Sequence, residues 1–266
     1  MSANPQGEPE AERLTVSMRL DVFLTPGELV PGEIADRTAV VIDVLRASST
    51  IVEALASGAR ALYPVASIEE ALRLAHTLGR DAVLLCGERK CLPIEGFDLG
   101  NSPAEFTPER VGGRTLIMST TNGTAAMAAV GGSARVLVGA WLNAEAVVAE
   151  LVRGGAEPAF VCAGRERFFG LEDAVLAGHL ALRLMEERPE VEWVLNDGAA
   201  AAVALARAYP DPAEMMAGTA AGAALQAAGL AEDLPFCAQV DRHDLVPVLH
   251  DRQVTLFAPG VAASES

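Results

Sequence analysis

Three features of the sequence predict an α/β fold built round a largely parallel sheet. From about residue 15, short β-branched runs alternate with Ala- and Leu-rich helical stretches. Several of the runs are continuously apolar, as strands buried on both faces are. The unusual polar residues cluster just after those runs, at what would be the carboxyl ends of strands, where ligands collect in open α/β sheets.

Taken in order, Val16, Met18, Leu20 and Val22 alternate with polar residues and predict a strand with one solvated face. Residues 38–44 (TAVVIDV) form a continuous apolar strand, and the helix that follows carries Glu53 and Leu55 and stops at Gly58. Residues 61–65 read as a strand, 68–78 as a helix with Leu72, Ala75 and Leu78 on one face, and 82–86 as a strand. Strands over 114–119, 135–139 and 158–162 repeat the theme, with helices over 123–129, 144–153 and 172–187. Past residue 196 the composition turns small, so that 199–209 and 218–230 read as close-packed Ala-rich helices. Residues 253–257 are expected to form a last edge strand. No linker interrupts the pattern. Residues 15–258 are therefore one domain, between a polar, acidic, disordered tail over 1–14 and a loose tail over 259–266. One internal echo stands out: the strand ending at Cys86 leads into GERKCLPIEGFDLG, and the one ending at Cys162 into AGRERFFGLEDAVLAG.

Composition narrows the function. The chain has 266 residues, 51% of them hydrophobic, with 20 Lys+Arg against 36 Asp+Glu and a formal charge of −16. Such a field repels nucleic acid and anionic membrane, so neither is an expected partner. It also repels an anionic substrate, and any phosphate site must gather Arg side chains and backbone N–H groups locally or recruit a cation. Cys86, Cys91, Cys162 and Cys237 lack zinc-site spacing and read as reduced cysteines of a cytoplasmic protein. The first residues contain no apolar signal region, and no apolar run is long enough to span a membrane.

Four segments follow strands directly. Asp43, Arg46, Ser48, Ser49 and Thr50 combine a hard metal ligand with phosphate donors at a helix N-terminus. The same residues could instead be an Asp43–Arg46 ion pair with a serine helix cap. Glu88 and Arg89, then Asp98, Asn101 and Ser102, lie in a long Gly-rich loop studded with Ile94, Phe97 and Leu99; an Asx turn and a surface ion pair are the plainer account. Ser119, Thr120, Thr121, Asn122, Gly123 and Thr124 offer hydroxyls, an amide and a glycine where a helix opens, which suits an anion cradle or an ordinary N-cap. Gly164 leads to Glu172 and Asp173, whose place in a helix's first turn the helix dipole alone would explain. His76, His179, His243 and His250 have no partner spacing. The cysteine-phosphatase loop, the Asp-x-Asp-x-Thr/Val signature, Walker A and G-x-G-x-x-G are all missing from the sequence.

Together, DVLRASSTIVEAL from Asp43, GERKCLPIEGFDLGNSP from Gly87, TTNGT from Thr120, and CAG with GLEDAVLAG from Cys162 closely resemble the 2-phosphosulfolactate phosphatase family of coenzyme M biosynthesis. The match runs from about residue 38 to 180, and Asn196-Asp197, Cys237, Asp241 and Val246-Pro247 extend it more loosely. The resemblance implies a Mg²⁺-dependent acid phosphatase on a three-layer α/β/α fold of two similar intertwined halves, which would make the echo a duplication. Arg165-Glu166-Arg167 departs from the family pattern, which carries smaller residues there.

The function expected is hydrolysis of a small anionic phosphate ester, by resemblance 2-phospho-3-sulfolactate, to sulfolactate and phosphate. Mg²⁺ would be held by Asp43 with one or more of Glu88, Asp98, Glu172 and Asp173; since Mg²⁺ takes only one or two carboxylates, the others would support it or act as base. Arg46 and Arg89 would neutralise anionic groups of the substrate. Ser49, Thr50, Asn101, Ser102, the Thr120–Thr124 loop and Gly164 would supply the remaining contacts. A phosphatase for another phospho-hydroxyacid and a non-catalytic binder of anionic metabolites are the alternatives. The Ala-rich helices could pack within one subunit or between the two of a homodimer.

Overall fold

In a computed structural model, residues 16–256 are described except 31 and 156. The tails expected over 1–14 and 259–266, and Phe257, lie outside the described residues. Strand β1 (Val16–Phe23) and β2 (Thr38–Ile42) lead into helix α1 (Ala47–Ala56). Then follow β3 (Ala61–Pro64), α2 (Ile68–Leu78), β4 (Val83–Arg89), β5 (Leu92–Pro93), α3 (Pro108–Val111), β6 (Thr115–Ser119) and α4 (Gly123–Ala129). The chain continues through β7 (Arg135–Gly139), α5 (Ala144–Gly154), β8 (Pro158–Cys162), α6 (Leu171–Glu187), β9 (Val191–Leu195) and α7 (Asp197–Ala208). Short helices α8 (Pro212–Ala217), α9 (Ala220–Ala227) and α10 (Asp233–Cys237) precede the hairpin β10 (Pro247–His250) and β11 (Gln253–Leu256).

All eleven strands join one sheet in the order β5-β4-β6-β3-β11-β10-β7-β2-β8-β1-β9. It is mostly parallel, as predicted, and it consists of two blocks. In one, β3–α2–β4 is a strand–helix–strand unit with β6 inserted between its strands; in the other, β7–α5–β8 is the same unit with β2 inserted. Each inserted strand is followed by a helix that crosses to the other block, α1 from β2 to β3 and α4 from β6 to β7. The halves are therefore similar and intertwined.

Residues 253–257 had been expected to form an edge strand. Instead β11 pairs β3 on one side and β10 on the other, both antiparallel, and β10 pairs β7 antiparallel. The hairpin is the seam of the sheet. Position in a sheet depends on non-local pairing, which a four-residue β-rich run does not encode. Because three antiparallel steps separate β3 from β7, the two blocks run in opposite directions. Their carboxyl ends can meet only if the sheet twists and curls, as long sheets do. One core spans both blocks: Ala39 and Val41 of β2, Leu62 of β3, Leu116 and Met118 of β6 and Val161 of β8 share one buried cluster with Ile51 of α1 and Met127 of α4. The alternate residues Val40, Ile42 and Phe160 face outward against α5, α6 and α7, while Ile117 and Leu85 face α2. This is the α/β/α layering, with α1 and α4 inside the concavity. Among the described residues no helix is long and apolar enough to cross a membrane.

Candidate active site

The carboxyl ends of β2, β4, β6 and β8 converge on a cleft of about 250 Å³, with α9 forming part of its wall through Ala221, Ala224 and Leu225. Asp43, one residue past β2, is 6% exposed. Its Oδ1 accepts the Ala47 N–H at 3.2 Å, and its own N–H donates to Ser48 Oγ at 2.9 Å. Among the described residues Oδ2 has no hydrogen-bond partner; it lies close beside Gly123, and Asp43 lines the cleft. A Cβ at Gly123 would stand 2.8 Å from that oxygen and 2.5 Å from Ala47 Cβ, so α1 and α4 meet here only through a glycine. Burial pushes Asp43 up from 3.8 to about 7; the Ala47 N–H partly opposes this, and the charges of Glu88 and Glu172 add to it.

The first turn of α6 brings two more carboxylates. Asp173 Oδ1 accepts the Val44 N–H at 2.8 Å and Oδ2 the Gly164 N–H at 3.0 Å, so it ties the ends of β2 and β8 together. Burial, then Glu172 and Asp43, hold Asp173 well above the usual carboxylate range. Burial also raises Glu172, against the opposing pull of its own backbone N–H, the nearby Thr219 hydroxyl and the Arg165 charge. Glu88 ties the other block: Oε1 accepts the Thr121 N–H at 2.7 Å and Oε2 the Cys91 N–H at 2.9 Å.

The cleft also holds Arg46, Asn101, Thr120, Thr121, Asn122 and Gly164 of the predicted residues. Arg46, joined to Leu45 by a cis peptide bond, is buried; it pairs with Asp233 at 2.6 Å and donates to the Cys91 carbonyl at 2.8 Å. Asn101 Oδ1 is buried with no partner. Asn122 sits at the N-cap of α4, yet its Oδ1 accepts the Glu166 N–H rather than capping the helix. Thr120 Oγ1 accepts the Thr124 N–H instead.

Other predicted residues are not brought to the cleft. Asp98 accepts from Arg80 at 3.0 Å and from the Leu85 N–H at 2.7 Å, which pins the Gly-rich loop back onto β4. Arg89 folds onto the end of β6, donating to Ser119 Oγ and the Ser119 carbonyl. Ser49 and Thr50 donate to the Val44 and Asn101 carbonyls inside the core, and Ser102 donates to Asp233. Gly123 and Thr124 stand behind the wall. Conversely, Lys90, Cys91, Arg165 and Glu166 line the cleft, and Asp233 braces it, without having been singled out as site residues. Lys90 lay within a quoted motif and Arg165 in the stretch that departs from the family pattern, whereas nothing local in the sequence marks Asp233.

Among the described residues, no three Asp, Glu, His or Cys side chains stand as a ready-made metal cluster. The donor set nonetheless suits Mg²⁺, which takes one or two carboxylates and keeps several waters. Asp43 and Glu172 line the cleft as hard oxygen donors, while Asp173 and Glu88 are held by backbone N–H groups. These residues would offer an ion two carboxylates, with the other two bracing the strand ends.

The family model described as 2-phosphosulpholactate phosphatase matches residues 23–252. A protein of Thermus thermophilus named probable 2-phosphosulfolactate phosphatase is 44% identical over 241 residues, covering 88% of this chain and 96% of that one. Proteins of the same name from Symbiobacterium thermophilum (42% identical; 85% and 96% covered) and Clostridium beijerinckii (33%; 90% and 99%) are similar over comparable lengths.

Proposed function

Since the chain belongs to the 2-phosphosulfolactate phosphatase family, we propose that it is a phosphoric monoester hydrolase that converts 2-phospho-3-sulfolactate to 3-sulfolactate and phosphate with Mg²⁺ as cofactor. The observation that carries this reading is Asp43: a buried carboxylate lining the cleft, close enough to Glu88, Glu172 and Asp173 for their charges to interact. Four carboxylates at one wall repel each other and an anionic ester, an arrangement that makes sense when a divalent cation sits against it.

Asp43 and Glu172 would hold the ion. When bound, Mg²⁺ supplies positive charge against the phosphoryl oxygens and acidifies water. The protein's own part is largely positioning. Thr120 and Thr121 hydroxyls and the Asn101 amide offer hydrogen bonds to phosphoryl oxygens from the β6 and β4 sides. Arg46, with two of its N–H groups engaged, has others left to turn toward the anion. Asp173 and Glu88 keep the strand ends in place. A carboxylate not engaged with the ion, Glu88 or Asp173, would take the proton of an attacking water.

The test is phosphate release from racemic 2-phospho-3-sulfolactate, phospholactate and phosphoglycerate, each with Mg²⁺ and with EDTA. Release that requires Mg²⁺ and is fastest with the sulfonated ester is expected. Release that survives EDTA would overturn the metal, and no release from any ester by folded protein would overturn the activity.

A further inference from the structure

The cleft is lined by three cations, and they are not equivalent. Arg46 is buried and committed to Asp233. Among the described residues the Lys90 side chain makes no ion pair or hydrogen bond, while the Arg165 side chain donates to the Ala220 carbonyl at 3.0 Å and forms no salt bridge, its charge acting on Glu172 from a distance. Depth separates them from the carboxylates: Asp43, Glu172 and Asp173 are buried, Arg165 is half-buried and Lys90 exposed. The negative groups form the floor, and two positive groups outside any salt bridge form the rim.

The rim positions are built alike. Lys90 and Cys91 are the central residues of a two-residue turn joining β4 to β5, both with positive φ (51° and 69°). Glu166 and Arg167 are the central residues of a second such turn (φ 51° and 72°), in which the backbones of Arg165 and Phe168 exchange hydrogen bonds of 2.8 Å. This is the geometry of tight hairpin turns. Both turns are anchored to the cleft: the Cys91 N–H to Glu88 and its carbonyl to Arg46, the Glu166 N–H to Asn122. They follow β4 and β8, which hold the same place in the two strand–helix–strand units, so that each block contributes one turn.

A 2-phosphosulfolactate carries a carboxylate on one side of the ester carbon and a sulfonate on the other. With the phosphate drawn to the floor, these two acids point to the rim. We infer that Lys90 and Arg165 are the specificity-determining residues of the site, each holding one of the two acid groups that flank the phosphate ester. This rests on the function proposed above. The substrate class is then a phosphate monoester with an acid on both sides, in preference to one with a single acid or none.

The experiment compares wild type, Lys90→Met, Arg165→Met and the double variant on two readouts. The first is the ratio of kcat/KM for 2-phospho-3-sulfolactate to that for glycerol 2-phosphate, which has no flanking acid. Each single variant should lower the ratio about tenfold, through KM, and the double variant further. Lys90→Arg should restore most of it. The second is calorimetric binding of 3-sulfolactate, which needs no turnover; each variant should weaken it by a similar factor. An unchanged ratio, or equal 3-sulfolactate affinity in wild type and double variant, overturns the assignment. If wild type releases no phosphate but binds 3-sulfolactate through Lys90 and Arg165, the phosphatase function fails and the assignment stands. If it releases phosphate but does not bind 3-sulfolactate, the assignment fails and the function stands.

Discussion

Asp43 is the residue on which the site turns. Its raised affinity for a proton comes first from burial, so its charge is a liability to the fold unless a cation meets it. Asp43→Asn keeps the shape and the hydrogen bond from Ala47. The expected outcome is a fall in kcat of at least about 100-fold, with a metal-free melting temperature at pH 8 equal to or above wild type. A variant that turned over normally would remove Asp43 from the chemistry. Asp233 shows the opposite dependence. It is buried between Arg46 (2.6 Å) and Ser102 (2.5 Å), and Asp233→Asn would leave a buried guanidinium without its counter-charge. Urea unfolding should show a loss of about 3–5 kcal/mol. A loss below about 1 kcal/mol would mean that Arg46 finds solvent or another partner. The contrast explains what could be read in advance. Asp43 announces itself by standing just past an apolar strand, whereas Glu172 and Asp173, whose place in a helix's first turn has a plainer explanation, stood out only through the family resemblance. Asp233 lies 187 positions from its partner, in a segment with no pattern of its own.

At the scale of elements, the legible parts were those with a local period. The helices over Ile68–Leu78 and Gly123–Ala129 and the strands over Arg135–Gly139 and Pro158–Cys162 begin and end where alternation and turn residues place them. Strand β9 went unpredicted because Glu192 interrupts a short run whose alternate side chains remain exposed at the sheet's edge. The echo after Cys86 and Cys162 was visible as letters, and its physical meaning is the pair of two-residue turns. Helix placement then depends on single glycines. Gly123→Ala would force a methyl against Ala47 Cβ and Asp43 Oδ2, both in the fixed first turn around β2. Overpacking of this kind costs about 1–3 kcal/mol. Because α4 carries the Thr120–Asn122 wall away as it shifts, activity should fall more steeply than stability. Thermal unfolding and turnover measured side by side would test that; stability lost with kcat/KM intact would mean that α1 yields instead of α4.

For the whole molecule, the carboxylate floor links stability to pH with a definite sign. Between 3.8 and about 7 the native state keeps a proton on Asp43 that the unfolded chain has released. The native state thus binds more protons in that window, and this contribution to stability is lost as pH rises through it. Glu172 and Asp173 are shifted in the same direction. Asp43 alone accounts for about 4 kcal/mol at most. Mg²⁺ selects the deprotonated carboxylates, so it should raise the melting temperature more at pH 8 than at pH 5. Equal shifts at the two pH values, followed by scanning calorimetry, would place the ion elsewhere.

The hairpin β10–β11 gives the architecture a temporal side. Among the described residues every other strand precedes it in the sequence, yet β11 and β10 are the pieces that join β3 to β7. On a ribosome, both blocks would have emerged before the seam existed, each with a bare antiparallel edge, the kind of edge that recruits other strands. In that order of emergence the middle of the sheet closes after its two sides. The interval before that closure is when a nascent chain of this fold is most exposed to pairing with the wrong neighbour.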